Sequence, residues 1–259
     1  MVNKTVSLAI PVAESVPAIT LQSMLALVSH SALSGISIKD IGVTHRQMVD
    51  DARNGLAEGF LTSDTEWLFW MDSDMTFSKD TLIEMFKVVE EKDAKMVTGV
   101  YYQRKGLNFP VLWSRGVPTE QGTISGLESK RSETNKYVGS FTFPHQDKKE
   151  PFKVHAAGFG CVLVHRSVFE VMDRPWFKFL PGICSEDFYF FVNAQELGFE
   201  LWATPVPDLG HIADPLVVTK KDFWAKLPKS NLEVAELNRD LAKPTERAVS
   251  PVYPEKETK

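Results

Sequence analysis

A strand-like segment that ends in two aspartates constrains this chain more than any other feature. Residues Trp67–Met71 form an apolar, aromatic run of the length of a buried strand, and Asp72, Ser73 and Asp74 follow at once. In an open α/β sheet, ligands bind outside the carboxyl ends of the strands, so both carboxylates are predicted to lie at a binding site. The alternative is a surface turn whose aspartates cap a helix that begins near Ser78.

Electrostatic repulsion suggests a chemical role for this pair. Two carboxylates held close together repel each other unless a cation or protons neutralise them. A Mg2+-type ion that carries a diphosphate would do so, because such sites combine one or two carboxylates with the phosphates of a substrate. On the sequence alone, metal binding and helix capping both stay open.

Strand-like and helical segments alternate along most of the chain. The strand-like segments are 5–12, 36–43, 67–71, 95–102 and 201–206, and the helical segments are 17–31, 47–60, 78–91, 167–172 and 188–197. This order favours an α/β fold with a doubly wound sheet. No Gly-x-Gly-x-x-Gly motif follows the first strand, which argues against a nicotinamide or flavin enzyme.

The periodicity predicts one domain over residues 1–216, with two regions of different character. Residues 108–153 lose the periodicity and gain Gly, Ser, Thr and Lys, which predicts a flexible insertion or flap. Residues 217–259 are predicted to form a C-terminal helical extension that ends in a disordered tail rich in Pro, Lys and Glu.

Charge and composition argue against several classes of protein. The net charge of −5 and the pI of 5.7 provide no global basic field for nucleic acid or anionic membrane, although Arg104 and Lys105 form a local basic turn. No apolar run approaches the roughly 18 residues that span a bilayer, and no signal peptide is recognisable. Cys161 and Cys184 lack metal-ligand spacing and are expected to be free thiols. A cytoplasmic protein is predicted.

Further candidate residues stand near the predicted strand ends and on the second helix. Pro11 and Glu14 close the first strand-like segment. Arg53 could meet a phosphate and Asn54 a base or a backbone amide, or the two could be a solvated arginine beside a satisfied asparagine. The small residues at 156–160 would let the backbone approach a ligand closely, or would permit tight packing.

The order of these motifs resembles that of GT-A fold glycosyltransferases, most closely the family 2-like enzymes, which include short forms in bacteria and their viruses. The resemblance covers about residues 5–212. The motifs that carry it are Arg53-Asn54, Asp72-Ser73-Asp74, Gly158-Phe159-Gly160, Glu186-Asp187 and His211. It implies an α/β fold with a mixed, mostly parallel, Rossmann-like sheet flanked by helices. It also implies a metal-dependent enzyme that moves a sugar, with inversion, from a nucleotide-diphosphate sugar to a hydroxyl acceptor.

The resemblance also implies roles for individual residues around the donor. Asp74 and His211 would bind Mn2+ or Mg2+, and Asp72 would be a further metal ligand or a ribose contact. The residues implied in donor binding are Pro11, Glu14, Arg53, Asn54, Asp72 and Ser73.

Inverting transfer needs a base that takes the proton of the acceptor hydroxyl. The resemblance assigns this role to Asp187, with Glu186 as the alternative base or as a contact of the acceptor. Both acids also suit the start of a helix, where capping is the structural alternative. The residues implied in acceptor binding are Ala157, Gly158, Phe159 and Trp176.

Other functions stay open at this point. The acceptor could be a glycan, a small molecule or a hydroxymethylated base of phage DNA, although the acidic pI argues against DNA. A nucleotidyltransferase would show a Gly- and Lys-rich phosphate loop after the first strand, and residues 11–17 contain none. A catalytically inactive sugar-nucleotide or carbohydrate-binding protein is the non-enzymatic alternative.

Overall fold

The computed structural model describes residues 2–104, 108–114, 140–142, 144, 148–213 and 216–221. Most of the predicted insertion and almost all of the predicted C-terminal extension therefore lie outside the described residues. The helices are α1 (Ala18–Leu33), α2 (Val49–Thr62), α3 (Thr81–Lys92), α4 (Arg166–Val171) and α5 (Glu186–Glu196). The strands are β1 (Thr5–Val12), β2 (Ser37–His45), β3 (Trp67–Met71), β4 (Met75–Phe77), β5 (Met96–Gly99), β6 (Leu112–Ser114), β7 (Ser140–Phe141), β8 (Phe152–Val154), β9 (Ala156–Ala157), β10 (Cys161–His165), β11 (Leu201–Thr204), β12 (Leu209–Ala213) and β13 (Leu216–Val218).

The main sheet has seven strands in the order β2-β1-β3-β10-β5-β11-β8. Strands β2, β1, β3, β5 and β11 share one direction, whereas β10 runs antiparallel between β3 and β5, and β8 runs antiparallel at the edge. This arrangement confirms the predicted mixed, mostly parallel sheet. No helix in the described ranges is both long enough and apolar enough to cross a membrane.

The burial of the central strand β3 explains why its sequence is continuously apolar. Each of its residues is at most 1% exposed, because packed layers cover both faces of the sheet. Leu68 and Trp70 join the hydrophobic cluster on one face, and Trp67, Phe69 and Met71 join the cluster on the other. A strand buried on both faces needs apolar side chains at every position rather than at alternate ones.

A short strand separates the two aspartates from the helix that they were suspected of capping. Strand β4 follows Asp74 directly and pairs with β12 in a second sheet of order β13-β12-β4. Helix α3 begins only at Thr81, with Asp80 as its N-cap residue. The alternative that Asp72 and Asp74 cap this helix is therefore wrong.

Candidate active site

The carboxyl ends of the central strands bring the predicted motifs to one edge of the sheet. Strands β1 and β3 are parallel, with Ala9 paired to Trp70, so their carboxyl ends lie at the same edge of the sheet. The antiparallel β10 begins there, since Cys161 pairs with Met71. As a result the backbone N–H of Asp72 donates to the carbonyl of Gly160 across 3.2 Å.

Strand β12 carries His211 to Asp74. His211 pairs with Met75 of β4, and the N–H of Ile212 donates to the Asp74 carbonyl at 2.8 Å. The His211 Nε2 atom then lies 3.4 Å from the Asp74 Oδ2 atom. His211 itself lies within β12, and the pairing of β12 with β4 positions it.

The orientation of the His211 ring is fixed by a backbone carbonyl. Its Nδ1 atom lies 2.9 Å from the Tyr102 oxygen, and because a carbonyl can only accept, Nδ1 must carry a proton and donate it. The Nε2 atom therefore faces Asp74. A histidine that donates through Nδ1 and points Nε2 at a carboxylate has the outer hydrogen bond usual for a metal ligand.

A third side chain contacts the same carboxylate oxygen. The Arg104 Nη1 atom lies 2.5 Å from the Asp74 Oδ2 atom. Burial alone would raise the pKa of Asp74, but His211 and Arg104 together hold it below its usual value. Asp74 is therefore an anion that already attracts positive charge. Within the described ranges, no group of three or more His, Cys, Asp and Glu side chains is arranged to hold a metal ion.

Arg53 of α2 links Asp72 to the start of α5. Its side chain is 5% exposed, its Nη2 atom lies 3.2 Å from Asp72 Oδ1, and its Nε atom lies 3.3 Å from Glu186 Oε1. The guanidinium also lies over the rings of Trp70 and Phe159, at 5.7 and 5.1 Å from their centroids. Burial lowers the pKa of Arg53, yet the carboxylates around it raise that pKa overall. Its Nη1 atom is buried and makes no hydrogen bond to the described residues.

Asp187 stands in the first turn of α5 and is partly exposed. Its Oδ1 atom accepts a hydrogen bond from the Ser185 hydroxyl and another, at 2.8 Å, from the N–H of Phe188. Burial and the neighbouring Glu186 raise the pKa of Asp187 to about 6. The pKa of Asp74 is thus lowered and the pKa of Asp187 is raised. Opposite pKa shifts of this kind are typical of two carboxyl groups that have different roles.

The remaining donor-side candidates divide into two groups. Pro11 and Ser73 are partly exposed at the edge of the sheet that carries Asp72, and Glu14 is exposed beyond β1. Asn54, in contrast, donates to the carbonyl of Phe177 at 2.7 Å and accepts from the N–H of Phe177 at 3.1 Å. These bonds match the structural alternative of a satisfied asparagine.

Three residues implied in acceptor binding lie in the core instead. Ala157, Phe159 and Trp176 are each at most 2% exposed. The Trp176 Nε1 atom donates to the carbonyls of Phe169 and Met172, and Phe159 stacks on Phe191. Because their side chains are enclosed by protein, their expected contact with an acceptor does not fit this structure.

The glycine turn packs against Tyr101, a residue that sequence inspection missed. The buried Tyr101 hydroxyl accepts from the N–H of Gly160 at 3.1 Å, and burial raises its pKa well above the usual value. A Cβ atom on Gly158 would lie 2.1 Å from that hydroxyl oxygen and 2.8 Å from Val111 Cγ1. Gly158 therefore serves tight packing beside Asp72. The one sequence signal for Tyr101 is its position near the end of the strand-like segment 95–102.

Replacing Gly158 with alanine should lower the free energy of unfolding by about 1–3 kcal/mol, because the added methyl group overpacks the contact with Tyr101. Urea denaturation would measure it. Gly59→Ala in α2 is the control, since nothing lies within 4 Å of its Cβ position, and it should stabilise the protein by up to about 1 kcal/mol. Equal stability of wild type and Gly158→Ala would contradict the packing role.

Comparison with known proteins adds to this geometry. The model of the family described as "Glycosyl transferase family 2" matches residues 31–172, more than half of the chain. A search of curated proteins finds no match. The chain is similar to the crystal structure of A197 from STIV, with 18% identity, 83% of this chain and 93% of that chain covered, and a TM-score of 0.54.

The chain is also similar to the crystal structure of GalNAc-T7 with UDP, GalNAc and Mn2+. The identity is 11%, with 91% of this chain and 54% of that chain covered, at a TM-score of 0.50. At these identities the two structures show a shared fold, which confirms the GT-A architecture.

Proposed function

This chain belongs to glycosyl transferase family 2, and we propose that it moves a sugar from a nucleotide-diphosphate sugar to an acceptor hydroxyl with the help of a divalent metal ion. The observation that carries the proposal is the Asp74–His211 pair. It lies at the carboxyl edge of the sheet, two residues from Asp72, and Asp72 contacts the buried Arg53 that also contacts Glu186.

The chemistry of this pair fits Mn2+ or Mg2+. Asp74 offers an ionised carboxylate, and His211 offers the Nε2 atom of an imidazole whose other nitrogen is held by Tyr102. Two electron-rich atoms 3.4 Å apart need a positive charge to stabilise them, whether a proton, Arg104 or a metal ion. Asp74 and His211 would hold the ion, with Asp72 as a further contact, and the bound ion would supply Lewis-acid neutralisation of the departing diphosphate.

The donor is proposed to lie across the ends of β1 and β3. Arg53 supports this placement, because its Nη2 atom lies 3.2 Å from Asp72 Oδ1 and so holds Asp72 at the end of β3. Pro11, Glu14 and Ser73 line the same edge. Asn54, whose amide is engaged by Phe177, would act by fixing α2 rather than by touching the donor.

Asp187 is the proposed base. Its Oδ1 atom is engaged by Ser185 and Phe188, which leaves Oδ2 to accept the proton of the acceptor hydroxyl. As that proton moves to Oδ2, the acceptor oxygen bonds to the anomeric carbon and the bond from that carbon to the diphosphate breaks, with inversion. A pKa near 6 leaves the carboxylate ionised at neutral pH and still basic enough to take the proton.

A thermal-shift screen of nucleotide sugars, with and without Mn2+, tests the donor site. A ligand that binds only the native state raises Tm, so we expect one nucleotide sugar to raise Tm in the presence of Mn2+ and to lose that effect in Asp74→Ala. Asp64→Ala is the matched control, because Asp64 is also ion-paired but precedes β3 at the opposite edge of the sheet.

The control variant should keep the full Mn2+-dependent shift. Stabilisation that persists without metal, or that survives in Asp74→Ala, would contradict the metal site. Binding of a nucleotide sugar without transfer to any acceptor would instead indicate a binding protein.

A further inference from the structure

We propose that Arg104 is an exchangeable counter-ion of Asp74, which neutralises this carboxylate while no metal is bound and leaves it when a metal ion binds. The inference rests on the proposed metal site at Asp74 and His211. It assigns to Arg104 control over how readily that site takes up metal.

The geometry places Arg104 in direct competition for one oxygen atom. Both Arg104 Nη1 and His211 Nε2 approach Asp74 Oδ2, at 2.5 and 3.4 Å. The shorter contact is a hydrogen bond that Arg104 donates to the carboxylate oxygen. A divalent ion held by this oxygen and His211 would lie beside the guanidinium, and repulsion between the two positive charges favours the departure of Arg104.

The surroundings of Arg104 make this exchange energetically easy. Its side chain is 49% exposed, and the Asp74 side chain is 29% exposed. Ion pairs at this exposure contribute little free energy, so Arg104 loses little when it leaves Asp74. Arg53 provides the contrast, because it is 5% exposed, bonds to Asp72 and Glu186, and lies between two aromatic rings. The site thus combines one fixed arginine with one exchangeable arginine.

Removal of the competing cation should tighten metal binding. We expect Arg104→Gln to lower the apparent Kd for Mn2+ at least about threefold, which corresponds to losing a modest ion pair. Titration of the full chain with Mn2+, with free ion followed by EPR and no donor present, measures this. Arg174→Gln is the matched control, because Arg174 also forms an exposed ion pair, 2.9 Å from Glu58, and it should leave the Kd unchanged.

A second measurement separates exchange from a general effect of charge. Side-chain 15N NMR of arginine, titrated with diamagnetic Mg2+, should move the Arg104 signal to the position of a free arginine while that of Arg53 stays in place. Repulsion without exchange would leave the Arg104 signal unmoved and would overturn the inference.

The outcomes of the titration are separable from those of the proposed function. Unchanged or weaker Mn2+ binding in Arg104→Gln overturns the inference, and so does tighter binding that persists in Arg104→Gln/Asp74→Asn. Absence of Mn2+ binding in both wild type and Arg104→Gln overturns it as well. Sugar transfer that depends on Asp187 would stand in each of these cases.

Discussion

Replacement of Asp187 with asparagine is expected to lower kcat for sugar transfer at least about a hundredfold, because a positioned general base contributes roughly that much or more. Asparagine keeps the oxygen that accepts from Ser185 and Phe188 but cannot take a proton. The local structure is therefore retained while the proposed chemistry is removed. Initial rates with a matched donor and acceptor would measure the loss.

The pH dependence of the same reaction gives an independent check. The base must be ionised, and the pKa of Asp187 is raised to about 6, so kcat/KM should fall as the pH decreases through about 6. An Asp187→Asn variant with residual activity should lack this limb. A wild-type profile that stays flat down to pH 5 would contradict Asp187 as the base.

Stability should change in the opposite direction to activity. The pKa of Asp187 is raised from 3.8 to about 6, so the folded state binds this proton more tightly than the unfolded state does. Ionisation of Asp187 therefore destabilises the fold progressively as the pH rises between about 4 and about 6, and the cost persists above that range. Asp187→Asn should accordingly have a higher Tm than wild type at pH 8 and a similar Tm at pH 4.

The exposed Asp173 provides the control for both measurements. Asp173→Asn should keep wild-type activity and an unchanged difference in Tm between pH 4 and pH 8. If Asp173→Asn lost activity as strongly as Asp187→Asn, the loss could not be attributed to a base at Asp187.

Features encoded locally could be predicted from the sequence. The continuous apolar run of β3 indicates a strand buried on both faces, and its abrupt end places Asp72 at the carboxyl edge of the sheet. Helical periodicity likewise located α2 and α5 to within a few residues. In each case neighbouring residues along the chain carry the information.

Contacts between distant segments could not be predicted in this way. His211 reaches Asp74 only because β12 pairs with β4. Strand β4 is only three residues long, so the periodicity of the sequence does not predict it. The antiparallel insertion of β10 between β3 and β5 brings Gly160 to Asp72, and the sequence gives no sign of its direction. Strand order and register depend on side-chain packing across the whole sheet.

Aromatic residues misled the sequence interpretation for a physical reason. Trp176 and Phe159 were assigned to acceptor binding, but an aromatic side chain that stacks on a sugar has the same chemistry as one that fills a core. Only burial distinguishes the two, and here both rings are enclosed. Polar residues were more informative, because a buried polar group needs a partner and Arg53 has several.

Replacement of Arg53 with methionine is expected to lower the free energy of unfolding by about 3 kcal/mol, because loss of one partner leaves buried charge uncompensated. Glu186 has a side chain that is 10% exposed and loses the Nε contact at 3.3 Å, while Asp72, at 28% exposed, is hydrated in part. Methionine keeps the packing against Trp70 and Phe159, so the loss reports charge rather than volume. Urea denaturation at pH 8 would measure it.

The cause of this loss is tested by removing the second charge. In Arg53→Met/Glu186→Gln a neutral amide replaces the uncompensated carboxylate of Glu186. The free energy of unfolding should therefore recover by at least about 1 kcal/mol relative to Arg53→Met. Arg174→Met is the control for an exposed pair, since Arg174 and Glu58 are both more than half exposed, and it should change stability by less than about 1 kcal/mol. Equal losses in Arg53→Met and Arg174→Met would show that burial of the pair has no energetic consequence. A double variant no more stable than Arg53→Met would place the loss in packing rather than in charge.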